Sequence, residues 1–152
     1  MTDLLRLQDY LAKIKSKVPA IKTAHLVIDD SQLTDIMKDL KESDNLILLA
    51  LLPSHTMQGQ DEDDVHSKDL MAFLVLKKAD RKIKHAEFIN NMHSCQEATR
   101  AVITKLILDK PDFEDGCSIL NMLAAASITA SPIWNLAGAD GYQIDFELHS
   151  NL

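Results

Sequence analysis

The apolar positions of the first segment fall on one helical stripe. Leu4, Leu7, Leu11, Ile14 and Val18 recur at steps of three and four. Thr2 is placed to cap the start, and Pro19 halts the helix near Lys17. Residues 24–29 (AHLVID) are rich in β formers between polar neighbours and predict a strand. Ser31 then stands at an N-cap position ahead of Leu33, Ile36, Met37 and Leu40, the pattern of a short amphipathic helix. Residues 45–53 form a continuous apolar run ending at Pro53, as in a strand buried on both faces. The polar stretch 54–68, with Gly59 and four consecutive acids, predicts an exposed loop. Residues 70–78 (LMAFLVLKK) predict the next strand, paired with 45–53 as a wide hairpin.

The longest periodic element is 83–109. Phe88, Met92, Cys95, Thr99, Val102, Ile103 and Leu106 share one face, Lys84, Glu87, Asn91 and Arg100 take the others, and Pro111 stops the helix. Residues 117–133 (including SILNMLAAASITASPI) fit either a buried strand or a short helix followed by a strand, with strand expected at least over 127–133. Near the end, Tyr142, Ile144, Phe146 and Leu148 alternate with Gln143, Asp145, Glu147 and His149. That period of two predicts a strand with one buried and one wet face, entered through the turn Gly138-Ala139-Asp140-Gly141. Strands and helices do not alternate regularly, which disfavours a doubly wound parallel sheet. The order predicts a single α+β domain over 1–152. Its sheet is antiparallel or mixed, of about four to five strands, with two long helices packed on one face.

Composition narrows the function classes. The 152 residues are 46% hydrophobic and carry a net charge of −7. A chain of this length buries about 70% of its unfolded surface, enough for a core without disulfides or metal. The negative balance argues against a nucleic-acid binder or a protein drawn to anionic lipid, so neither partner is expected. Cys95 and Cys117 are too few for a disulfide scaffold or a paired-cysteine zinc site. The start lacks a basic and then apolar leader, and no apolar run approaches the roughly 20 residues that cross a bilayer. A cytoplasmic location with reduced thiols is the expectation.

Candidate chemistry is sparse. Asp61, Glu62, Asp63 and Asp64, with His66 close by, are the densest set of potential metal ligands. Consecutive carboxylates diverge, however, and the calcium-loop spacing is missing, so a solvated acidic loop is the simpler reading. No histidine pair has the zinc-hydrolase spacing, and Cys95 lies on the apolar stripe of the long helix as a buried thiol would. No serine elbow, phosphate loop or dinucleotide fingerprint occurs. Lys77, Lys78, Arg81, Lys82 and Lys84 cluster at one strand-to-helix junction. They read most simply as a solvated junction shielding a strand end, and otherwise as an anion or partner site. Trp134, the sole tryptophan, either closes the core or anchors a partner. No catalytic residue, metal or cofactor is assigned.

In element order the chain resembles small phage tail assembly proteins of the tail-terminator and minor tail protein family. Those proteins have a first helix, a strand meander with a long exposed loop, a long second helix and closing strands. The wording of residues 131–148 (SPIWNLAGADGYQIDFEL) is similar to the closing strand pairs of such prophage proteins. The short helix at 31–40 departs from their pattern. The resemblance implies a ring-forming structural protein in the cytoplasm or the virion, and transfers no functional residue. A ring needs two different complementary patches on each subunit, and the acidic run 60–64 and basic run 77–84 are candidates for them. The leading expectation is a non-enzymatic assembly or protein-interaction domain whose partner is itself. The alternative is a small-molecule-binding or enzymatic domain with a site built from residues distant in sequence, such as His25, His85, Cys117 and His149.

Overall fold

The computed structural model describes residues 1–59, 65–78, 80–110, 119–120 and 123–151. Eight main elements run in the order α1 (Leu4–Lys17), β1 (Thr23–Val27), α2 (Asp30–Asp39), β2 (Ile47–Gln58), β3 (His66–Lys78), α3 (His85–Asp109), β4 (Thr129–Leu136) and β5 (Ala139–Asn151). The strands form one mixed sheet in the order β1-β2-β3-β5-β4. β1 runs parallel to β2, and every other neighbour is antiparallel. This is an α+β fold.

Side-chain parity divides the sheet into two faces. On the first, Leu48, Ala50, Met71, Phe73, Val75, Ile144, Phe146 and Leu148 meet Leu7, Leu11 and Ile14 of α1 and Cys95, Ala98, Val102 and Leu106 of α3. Phe73 and Phe146 pack edge to face there, with centroids 5.0 Å apart. The two long helices share this face, as expected. The second face carries a smaller core in which Leu33 and Met37 of α2 cover Val27, Ile47, Leu49, Leu74 and Leu76. Toward β5 it becomes polar, with Gln143, Asp145, Glu147 and His149 half-buried, as the alternation predicts.

Four local expectations need correction. Thr2 does not cap α1; Asp3 does, its carboxylate accepting from the amides of Leu5 (2.9 Å) and Arg6 (3.3 Å). Ser31 does not cap α2. Asp29 accepts from the Ser31 and Gln32 amides, and the Ser31 hydroxyl donates to the same carboxylate at 2.6 Å. Both carboxylates sit where the positive helix end favours an anion. The polar stretch 54–68 is mostly strand, because β2 continues to Gln58 and β3 already begins at His66. Pro53 is passed at a register shift between Leu51 and Ser54, where its missing N–H interrupts no ladder bond. In the last third, the strand expected from 127 begins at Thr129 after a single 3-10 turn, Ala125–Ser127. Among the described residues, no helix is long and apolar enough to cross a membrane.

Candidate functional site

The basic junction and the lone tryptophan, far apart in sequence, meet at one end of the sheet. β3 ends at Lys78, and a turn in which the Asp80 carboxylate accepts from the Lys82 amide (2.9 Å) leads toward α3. Facing it is the β4–β5 connection, where Asn135, Ala137 and Gly138 hold left-handed φ values of 58°, 49° and 83°. Asp140 follows, only 3% exposed. Its carboxylate accepts two bonds from Arg81 Nη1 (3.0 and 3.1 Å) and one from the Asn135 amide (2.7 Å). That shared carboxylate ties the turn to the junction. The Arg81 guanidinium lies 5.9 Å from the Trp134 ring centroid, within cation–π range. Trp134 itself is 72% exposed, so it does not close the core.

The other cations of the run divide. Lys77 Nζ donates to Asn91 Oδ1 of α3 at 2.8 Å, and Lys78 Nζ donates to the carbonyls of Met37 (2.6 Å) and Leu40 (3.1 Å) at the end of α2. With Arg81 committed to Asp140, three of the five charges act as ties between elements rather than as a solvated coat. Lys82 and Lys84 are exposed. A cleft of about 410 Å³ opens between Leu40, Lys77, Lys78, Ile83, Glu87 and Asn91. The proposed counterpart, Asp61, Glu62, Asp63 and Asp64, lies outside the described residues.

A second polar cluster escaped the sequence reading. Asp69 on β3 is fully buried, and its carboxylate accepts from the Thr2 amide (2.5 Å), the Thr2 hydroxyl (2.6 Å), His55 Nδ1 (2.7 Å) and the Ser67 hydroxyl. Burial pushes its pKa up, but bonds from Ser67, Thr2 and His55 more than offset this and hold it at about 2. Parity was the available signal: Ser67 and Asp69 continue the inward series Met71, Phe73, Val75 once β3 is extended backwards. The cluster fastens the chain start to the hairpin and fixes one edge of the His55 imidazole.

The histidines of the alternative site do not converge. His25 pairs across Leu49 and Leu74 to the level of Gln143, so His149 lies three strands away and further along β5. His85 opens α3, its ring beside Phe88. Cys117 lies outside the described residues. Cys95 is fully buried, its thiol pushed up to about 12 chiefly by burial, with Asp140 adding to the rise, as suits a packing thiol. Among the described residues, no group of three or more His, Cys, Asp or Glu side chains is arranged to hold a metal. No known protein-family model matches this chain, and no curated protein matches it.

Proposed function

We propose that this chain is a non-enzymatic assembly or protein-interaction domain that associates with copies of itself through the end of the sheet carrying Trp134 and Arg81. One observation carries the reading. Trp134 is left 72% exposed, yet Arg81 lies over its ring and is itself held by the buried Asp140. Tryptophan and arginine are the residue types that dominate interface energies, and ones already fixed in place lose little further freedom on binding. The ring-forming role implied by the element order is one form such association takes.

Light scattering on the purified protein at tens of micromolar tests it. An oligomer is expected, and Trp134→Ala should raise its dissociation constant at least about tenfold. Because Trp134 is exposed, that substitution leaves the core intact and the circular dichroism unchanged. A monomer at these concentrations, or an oligomer indifferent to Trp134→Ala, sinks the proposal.

A further inference from the structure

The sheet has two free edges, and they differ. On β4, Pro132 sits opposite Tyr142, which a proline can do only with its nitrogen turned away from β5. The outer edge of β4 therefore lacks a donor at its centre. β1 carries no such block. The Leu46 amide donates to the Ala20 carbonyl (3.2 Å) and its carbonyl accepts from the Lys22 amide (2.8 Å), so alternation along β2 turns Leu46, Leu48 and Ala50 to β1. Leu48 and Ala50 therefore bond Thr23, His25 and Val27, while Ala24 and Leu26 turn outwards. This leaves the N–H and C=O groups of Ala24 and Leu26 along an open edge.

A groove of about 540 Å³ follows that edge, between α1 and α2, with Leu11, Ala12, Lys15, His25, Leu26 and Ile36 on its walls. α1 belongs to the first face of the sheet and α2 to the second. A strand laid along β1 would therefore alternate its side chains between Lys15 on the α1 side and Ile36 on the α2 side. Lys15 is exposed and makes no ion pair among the described residues. Burial, and then Lys15 itself, lowers the pKa of His25, so Lys15 is the charge this groove presents at neutral pH.

We propose that the open edge of β1, in the groove between α1 and α2, takes up an extended segment of another protein as an added strand, with acidic residues facing Lys15 and apolar ones facing Ile36. A second copy of this chain fits poorly. A two-fold pairing of β1 with β1 sets Lys15 against Lys15 and His25 against His25, and pairing with β4 meets Pro132. The inference goes beyond the self-association proposed for the Trp134 end. It concerns the opposite edge and stands or falls separately.

The test is a titration of the intact, isotope-labelled protein with a capped Val-Glu-Val-Glu-Val peptide at low salt, followed by amide chemical shifts. Saturable shifts at Ala24, Leu26 and their neighbours are expected. Lys15→Glu, an exposed change that spares folding, should weaken binding about fivefold and favour the lysine version of the peptide. A peptide with proline at its centre should not bind, because it cannot pair along the edge. Four outcomes overturn the proposal. These are no binding up to about 1 mM, equal binding of acidic and lysine peptides, tolerance of the central proline, and shifts at Ala24 and Leu26 that depend on protein concentration without peptide. The last would assign the edge to a second copy.

Discussion

Three carboxylates are buried among the described residues, and each is compensated differently. Asp69 is held by hydroxyls, an amide and an imidazole, Asp140 by a guanidinium and an amide, and Asp109 by Lys105 and the Tyr10 hydroxyl (3.0 Å). Burial, reinforced by Asp109, pushes the Tyr10 phenol well above its ordinary range, so Tyr10 serves only as a donor. An uncompensated buried charge costs several kcal/mol, which is why each carboxylate gathers donors from elements distant in sequence. Backbone closeness acts just as locally at Gly141. A Cβ there would lie 2.0 Å from the Val75 carbonyl oxygen, a collision with backbone that no rotamer relieves. Gly141→Ala should therefore destabilise the fold by about 3 kcal/mol in urea titrations. A loss below about 1 kcal/mol would mean that β3 and β5 can part there without penalty.

At the scale of elements, α2 depends on a residue outside itself. Its terminal carbonyls are met by Lys78, an ammonium from β3, which both satisfies them and opposes the negative helix end. Lys78→Met keeps the apolar stem and removes that cap. It should cost about 1–2 kcal/mol, and amide exchange should quicken in α2 while α1 and α3 keep their protection. Uniform loss of protection would show that α2 has no separate stability. Most elements were legible because their apolar positions repeat every 3.6 or two residues. The far half of the β2–β3 hairpin was not, since His55, Thr56, Ser67 and Asp69 carry no apolar alternation. His55, Thr56 and Ser67 read as loop, and Asp69 as neither loop nor strand, until the bonds from His55 and Ser67 to Asp69 are seen. The caps were misplaced by one or two residues for a related reason: Thr2 and Ser31 are good caps, but each stands next to a carboxylate better placed for the role.

For the whole molecule, the buried anion at Asp69 predicts how stability responds to acid. Its pKa of about 2 lies below the unfolded value of about 3.9, so its contribution is complete above that unfolded value. The contribution is lost as the pH falls through 2, and amounts to roughly 2–3 kcal/mol. Urea midpoints from pH 7 to pH 2 should fall more steeply for the wild type than for Asp69→Asn, although the variant starts lower. Parallel acid limbs would place the acid sensitivity elsewhere. The candidate site was half legible: the sequence singled out the basic run and Trp134 separately. Only the fold brings Arg81 to Trp134 through Asp140, an encounter over 53 positions that no local spacing encodes. Pro132 has a consequence at this scale too. A sheet that can accept a strand on one side and cannot offer one on the other has no means of passing pairing along. Strand addition at β1 stops after one step, so the molecule is a terminus for β pairing and not a link in a fibril.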